Sequence, residues 1–228
     1  IKCLHDGIDT SYFCPGQAAK PEIRGLENAD KIITYAARGL EPTRGFPQFM
    51  RAVQQVLINR PKAHAVIMGS DRVPYGTGPK NHVTYREQMI EELDLDTERI
   101  HFTGPLPYGK YREILRLSDV HVYLTRPFVL SWSMLEAMAC GCLIVGSKTP
   151  PVEEVIEDGI NGLLADFNNP WEIAARISDA LYFPSFMQPL RKKARQTIEE
   201  NYALKVILPR QMALINRLTL KNSPGPFG

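Results

Sequence analysis

Two arginines follow the first apolar run of the sequence, in a position where they could hold an anion. They lie in Tyr35-Ala-Ala-Arg38-Gly39-Leu-Glu-Pro-Thr-Arg44-Gly45-Phe46, which joins that run to a helical pattern. Guanidinium groups form forked, charge-assisted hydrogen bonds to phosphate oxygens, and a helix start adds backbone N–H groups. The pattern predicts a phosphate site at Arg38, Gly39 and Arg44. The alternative is that both arginines are solvated surface residues.

The same segment lacks the motifs of two common classes of phosphate-binding protein. It contains neither Gly-x-Gly-x-x-Gly nor a Gly-Lys-Ser/Thr sequence. Those motifs are typical of nicotinamide dehydrogenases and of phosphate-loop hydrolases, respectively. Both classes are therefore disfavoured.

A second segment places a carboxylate near a predicted helix start. It reads Phe128-Val-Leu-Ser131-Trp132-Ser133-Met-Leu-Glu136 and continues into Ala-Met-Ala-Cys-Gly141. A carboxylate one turn into such a helix can accept two hydrogen bonds from a ribose diol. The structural alternative is a capping box, in which Ser133 caps the helix and Glu136 bonds back to it.

The neighbours of this carboxylate also have two interpretations. Ser131 is the other candidate for the helix cap. The apolar residues Phe128, Leu130 and Trp132 either contribute to a binding site or belong only to the hydrophobic core.

Short strands must position these residues. Six apolar or β-branched runs lack the alternation of half-exposed strands, which favours strands covered on both faces of a parallel sheet. They are Ile32–Ala37, Ala65–Gly69, Ile100–Phe102, Val120–Leu124, Leu143–Gly146 and Leu163–Ala165. Helical stripes, such as the one from Phe46 to Leu57, alternate with them. We therefore predict a Rossmann-like, doubly wound parallel α/β sheet of about six strands, with ligands at the carboxyl ends of the strands.

The sequence also indicates how the chain is divided into segments. Residues 1–30 read as an interdomain segment, 31–184 as the Rossmann-like domain, 185–221 as C-terminal helices and 222–228 as a disordered tail. The helices are expected at about Pro189–Asn201 and Leu204–Leu220, with Pro209 starting or kinking the second. Arg72–His82, rich in proline and glycine, is expected to be a surface loop. His101 and His121 fall inside strands and are expected to be scaffold residues.

The amino-acid composition argues against several classes of protein. The 228 residues are 44% hydrophobic and carry a formal charge of +2, without the basic excess of nucleic-acid-binding proteins, so no nucleic-acid partner is expected. Four cysteines are too sparse for a disulfide framework, and Cys140-Gly-Cys142 has no second ligand pair, so no metal is expected. With no secretory signal pattern or long apolar run, the expected location is cytoplasmic.

Ordered motifs along the chain resemble a known family. They include Asp6-Gly-Ile-Asp9, Phe102-Thr-Gly104, Ser118-Asp119-Val120, Leu135-Glu-Ala-Met-Ala-Cys-Gly141 and Glu153-Glu-Val-Ile-Glu-Asp-Gly159. From about Asp6 to Leu181 the chain resembles the carboxyl-terminal, donor-binding domain of a retaining GT-B glycosyltransferase of the "glycosyl transferases group 1" family.

The resemblance implies a role for each candidate residue. Arg38 and Arg44, the latter at a usual lysine position, would neutralise the leaving diphosphate in place of a metal. Glu136 would hold the ribose hydroxyls, and Gly104, Pro105 and Leu106 would flank the base. Val129, Leu130, Ser131, Trp132 and Ser133 would meet the distal phosphate and the donor sugar. Phe128 stands where the family usually has a second, sugar-binding glutamate, which puts carboxylate recognition of the sugar in doubt.

The implied activity is transfer of a hexosyl group from a UDP-, GDP- or ADP-sugar to an acceptor, without a cofactor. In this architecture the acceptor site belongs mainly to an N-terminal Rossmann-like domain. Only one such unit is recognisable in the sequence, so the N-terminal domain is expected to be missing, and the chain alone is expected to bind donor without efficient transfer. Any contact with a membrane surface is expected only through that N-terminal domain. The alternatives are a GT-B sugar-nucleotide epimerase or phosphorylase, and a non-catalytic nucleotide-sugar-binding or interaction module.

Overall fold

A computed structural model describes residues 4–18, 23–93, 95–127 and 129–221. The predicted tail at 222–228 and Phe128 lie outside these ranges. In the described ranges, six strands alternate with helices along the chain. The strands are β1 (Lys31–Gly39), β2 (Ala63–Ser70), β3 (Ile100–Gly104), β4 (Val120–Tyr123), β5 (Ile144–Ser147) and β6 (Leu163–Ala165).

Eight α-helices cover the sheet or extend from it in the same part of the chain. They are α1 (Phe46–Asn59), α2 (Tyr85–Leu93), α3 (Tyr108–Leu117), α4 (Trp132–Ala139), α5 (Pro150–Glu153), α6 (Pro170–Tyr182), α7 (Pro184–Asn201) and α8 (Leu204–Lys221). None of these helices combines the length and apolar character needed to cross a membrane.

The six strands form one sheet in the order β3-β2-β1-β4-β5-β6, and every neighbouring pair is parallel. Alternate residues of β1 face opposite sides, so Ile33 and Tyr35 join one core cluster and Ala36 joins the other. Helices α1 and α6 cover the first face, whereas α3, α4 and α7 cover the second. The predicted doubly wound α/β fold is confirmed.

One helix start differs from the sequence prediction. Helix α7 begins at Pro184 rather than near Pro189, because a proline in the first helical turn loses no intrahelical hydrogen bond. Helix α8 begins at Leu204 as predicted, where the backbone N–H donates to the carbonyl of Ile8. Pro209 lies inside α8, so the alternative in which Pro209 starts the helix is wrong.

The segment before the sheet packs closely on the domain. Ile8 and Phe13 are buried. The guanidinium of Arg195 on α7 donates to the carbonyl oxygens of Thr10, Phe13 and Ala139. This single side chain therefore ties the N-terminal segment to the end of α4.

His121 on β4 makes stability depend on pH. The ring is fully buried, its Nδ1 lies 2.8 Å from Thr34 Oγ1, and burial lowers its pKa from 6.5 to about 3. Because the unfolded chain takes up a proton that the folded chain refuses, stability is lost as pH falls below about 6.5. From pH 7 to pH 5 this residue should cost about 2 kcal/mol of unfolding free energy.

Urea unfolding at both pH values measures this loss. In His121→Gln, which cannot titrate, the difference between the two pH values should shrink by about 2 kcal/mol. His64 and His101, whose pKa values burial also lowers, stay in place in both proteins. An unchanged pH dependence in the variant would contradict the assignment.

Candidate functional site

A large cavity opens where β1, β2 and β3 end and α4 begins. Its volume is about 850 Å³, which is in the range of small-molecule sites. Parallel strands bring their carboxyl ends to one edge of the sheet, and this edge is where ligands of such folds bind. The lining residues are Ala36, Ala37, Arg38, Met68, Gly69, Ser70, Arg72, Pro105, Leu106, Tyr108, Tyr111, Leu130, Ser131, Trp132, Ser133 and Glu136.

Arg38 stands near the end of β1 and lines this cavity. Its backbone is held to β2, because Ser70 Oγ donates to the Arg38 carbonyl at 2.8 Å. The adjacent Gly39 is buried but does not line the cavity. A Cβ at Gly39 would lie 2.2 Å from Pro74 Cδ and 2.5 Å from the Arg72 carbonyl oxygen, so glycine is needed there for close packing of a loop.

Arg44 lies in a second, small cavity of about 120 Å³. Arg38 and Ser131 line both cavities. The Nη1 atom of Arg44 donates to Thr125 Oγ1 at 3.1 Å and to the Val129 carbonyl at 3.2 Å. The structure thus places the two arginines on one side of the site but aims only Arg38 into the large cavity.

Ser131 is the cap of α4. Its Oγ accepts from the Ser133 backbone N–H at 3.4 Å, and its own N–H donates to the Tyr123 hydroxyl at 2.8 Å. The capping-box alternative for Ser133 and Glu136 is therefore wrong, because Ser133 already lies inside the helix. Ser133 lines the large cavity, with its hydroxyl 3.1 Å from that of Ser131.

Trp132 is not part of the core. Its side chain is 53% exposed, and its indole Nε1–H donates to Asp6 Oδ2 at 3.0 Å. The core interpretation is therefore wrong for Trp132, which lines the large cavity next to the half-buried Leu130. Val129 is 70% exposed and lies outside the cavity, although its carbonyl accepts from Arg44.

Glu136 is the buried carboxylate of the site. Only 5% of the residue is exposed, and its Oε1 accepts from the Tyr108 hydroxyl at 3.1 Å. Burial raises the pKa of Glu136, while the hydroxyls of Tyr111 and Tyr108 oppose that rise. A carboxylate in this position is an acceptor for hydroxyl donors that enter the cavity.

The end of β3 supplies the opposite wall. Pro105 and Leu106 line the cavity, and Gly104 turns the chain towards them with φ +67 but is not itself a lining residue. Tyr108 and Tyr111, one turn apart on α3, face the same space. The sequence analysis did not select these two tyrosines, although they follow a strand end directly.

A further group was missed at the end of β2. Met68, Gly69, Ser70 and Arg72 line the cavity, whereas the segment from Arg72 onward was expected only to be a surface loop. The signal that could have found them is topological, because all strands of a parallel sheet end at the same edge.

Cys140 and Cys142 do not line the large cavity. Cys142 is buried, its Sγ–H donates to the Leu115 carbonyl at 3.0 Å, and burial raises its pKa. Burial also raises the pKa of Cys140 to about 12. Across the described ranges, no three His, Cys, Asp or Glu side chains come together as a metal-binding group.

Comparison with curated proteins finds relatives longer than this chain. Spore coat protein SA of Bacillus subtilis is 29% identical over 214 residues, covering 88% of this chain and 54% of that protein. The chain spans about half the length of the curated relatives it matches, or less.

Solved structures share the fold. Anabaena HepE in complex with UDP-glucose matches with a TM-score of 0.80 at 20% identity, covering 95% of this chain and 57% of that one. The C-terminal domain of a glycosyl transferase group 1 family protein, LpcC of Francisella tularensis, matches with a TM-score of 0.71 at 20% identity, covering 87% of this chain and 100% of that domain. The family model described as "Glycosyl transferases group 1" matches residues 17–197. Because that match spans most of the sequence, the chain belongs to the glycosyl transferases group 1 family.

Proposed function

We propose that this chain binds the nucleotide diphosphate sugar donor of a retaining, metal-independent glycosyltransferase. The observation that carries the proposal is the large cavity, in which Arg38 and the buried Glu136 stand at the carboxyl edge of the sheet. A cation and a hydroxyl-accepting carboxylate in one cavity match the two polar parts of a nucleoside diphosphate, its phosphates and its ribose.

The diphosphate is assigned to the arginine side of the site. Arg38 reaches it from the large cavity and Arg44 from the small one, which they line together. As the bond to the donor sugar breaks, negative charge grows on the departing diphosphate, and guanidinium groups already in place stabilise that charge. Their two positive charges do what a metal ion would otherwise do, so the proposal needs none.

The remaining lining residues indicate positions for the ribose, the base and the donor sugar. Glu136 accepts from the ribose hydroxyls, and Pro105 and Leu106 flank the base. Ser131 lines both cavities with the arginines, and Ser133 lines the large one with Arg38, close to where the distal phosphate and the donor sugar would sit. These hydroxyl and backbone groups would supply polar contacts to the sugar in place of the second glutamate of the family, whose position in the sequence is taken by Phe128.

The donor base is proposed to be uracil, guanine or adenine. Structures of HepE contain UDP-glucose and UDP, which makes UDP the first ligand to test. The acceptor is assigned to an N-terminal domain of the longer relatives. Holding donor and acceptor together is worth up to about 7–11 kcal/mol of the barrier, so this chain alone should bind donor without efficient transfer.

Titration calorimetry of the 228-residue chain with UDP, GDP and ADP tests the proposal. Binding of at least one of them is expected. Trp132 lines the cavity and Trp171 does not, so the same titration should change tryptophan fluorescence, and Trp132→Phe should remove most of that change. Folded protein that gives no heat with any of the three nucleotides would refute donor binding.

Tyr108 should set the pH range in which the ribose is held. Glu136 must be ionised to accept two hydroxyl donors, so affinity falls as pH falls through its raised pKa. The Tyr108 hydroxyl favours the ionised form, and Tyr108→Phe should therefore move the midpoint of this loss to higher pH. Nucleotide affinity measured against pH checks the shift.

The matched control for this prediction is the Glu136→Gln background. Without a titrating carboxyl at position 136 this loss of affinity should be absent, and any pH dependence that remains should be the same with and without Tyr108→Phe. A midpoint that is equal in Tyr108→Phe and in the wild-type chain would show that the hydroxyl does not act through Glu136.

A further inference from the structure

A second arginine lines the large cavity from the side of β2. Arg72 follows the end of β2 in the loop that leads to α2, and it faces the same space as Arg38. The adjacent Asp71 directs its carboxylate to Arg86 at 3.5 Å. Within the described residues, no acidic side chain forms an ion pair with Arg72.

The loop that carries Arg72 is held against the sheet. Pro74 packs on the Cα of Gly39, where no Cβ would fit. The Tyr75 backbone N–H donates to Oε2 of the buried Glu41 at 2.8 Å, and Thr43 Oγ1 donates to the Tyr75 carbonyl at 3.4 Å. These contacts hold the loop just after Arg72, and the Arg72 carbonyl itself lies against Gly39, so the backbone that carries the guanidinium is held beside β1.

The charges in the cavity favour an anionic ligand. Arg38 and Arg72 contribute two positive charges, and Glu136 is the acidic residue among the lining side chains. In the sheet, β2 lies between β1 and β3. Arg72 thus stands between the arginine side and the wall formed by Pro105 and Leu106, which are the two ends proposed for the nucleotide.

We propose that Arg72 is a donor-binding residue that contacts the diphosphate from the β2 side, beside Arg38. This inference rests on the proposed function, because the diphosphate is the part of the donor with formal negative charge. The fork of a guanidinium matches phosphate oxygens. Arg72, at the start of the loop of residues 71–82, then forms part of the wall of the donor site.

The test compares Arg72→Ala with Lys80→Ala. Lys80 is an exposed cation of the same loop that does not line the cavity, so its removal changes the net charge equally. UDP, GDP and ADP are titrated into both variants and the wild-type chain, together with uridine, guanosine and adenosine. Arg72 is exposed and, unlike Arg38, lines only one of the two cavities, so we expect a smaller loss than for Arg38. Arg72→Ala should weaken binding of the diphosphate about three- to tenfold and leave binding of the matching nucleoside unchanged. Lys80→Ala should change neither.

Salt dependence gives a second, independent measurement. An arginine that pairs with phosphate makes diphosphate affinity fall as the salt concentration rises. The affinity of Arg72→Ala should therefore change less with salt than that of the wild-type chain, and Arg72→Lys should keep most of the wild-type salt dependence. Unchanged diphosphate affinity in Arg72→Ala would overturn the inference while leaving the proposed function intact. Equal losses for diphosphate and nucleoside would overturn it as well. If the wild-type chain binds none of the diphosphates, the proposed function fails and this inference fails with it.

Discussion

Replacing Arg38 by alanine should weaken nucleoside diphosphate binding about 10- to 150-fold. Arg38 stands near the end of β1 and lines both cavities, so its guanidinium can contact the proposed diphosphate from either one. A hydrogen bond to a charged group is worth about 1.5–3 kcal/mol, and each 1.4 kcal/mol changes a binding constant tenfold. Titration calorimetry with UDP, GDP and ADP measures the loss.

Two control variants distinguish a specific role of Arg38 from a general loss of positive charge. Arg38→Lys keeps the charge but loses the fork, so it should recover only part of the affinity. Lys192→Ala removes an exposed cation on α7 and should have no effect. If Arg38→Ala binds diphosphates as well as the wild-type chain does, the anion site lies elsewhere, and a non-catalytic module that merely keeps the fold becomes the better interpretation.

Replacing Glu136 by alanine should have an effect of similar size on ribose recognition. The carboxylate is buried, and among the described residues no other acidic side chain lines the cavity, so the ribose hydroxyls would lose a charged acceptor. We expect about 10- to 150-fold weaker binding of the nucleoside diphosphate. Glu136→Gln keeps one acceptor oxygen without the charge and should lie between alanine and the wild-type residue.

Removing the 2′-hydroxyl from the ligand tests whether Glu136 contacts the ribose directly. The wild-type chain should bind 2′-deoxy-UDP more weakly than UDP, whereas Glu136→Ala should bind the two ligands equally, as a double-mutant cycle requires for groups in direct contact. GDP and ADP with their deoxy forms serve in the same way if they are the bound nucleotides. Full discrimination between the ribose and deoxyribose ligands in Glu136→Ala would show that another group holds the ribose.

The sheet and most of its helices could be predicted from local patterns. Buried strands of a parallel sheet are continuous apolar runs, and helices that cover it carry one apolar stripe, so both are visible in a single sequence. The residues after the strands pointed to Arg38 and Glu136, the family resemblance added Pro105 and Leu106, and the structure brings these four residues to one cavity.

Local patterns failed where side chains from distant segments decide the outcome. Ser133 and Glu136 have capping-box spacing, yet Ser131 caps α4 and Glu136 turns to Tyr108 on α3. Trp132 appears apolar in the sequence, but its indole N–H bonds to Asp6 in the N-terminal segment. The contacts of Glu136 with Tyr108 and of Trp132 with Asp6 join residues that are separated by a strand or more, so spacing along one helix carries no information about them.

By itself, the sequence determined the fold class, the family and which edge of the sheet carries the site, because these depend on hydrophobic periodicity and on motifs that are contiguous in the chain. Only the tertiary structure decided which side chains share the cavity. It directed Arg44 into the small cavity, made Gly39 a packing residue under Pro74, and added Arg72, Tyr108 and Tyr111 to the large cavity. The physical reason is that the direction of a side chain depends on which loop packs against it, and that packing is settled only when separate strands end side by side.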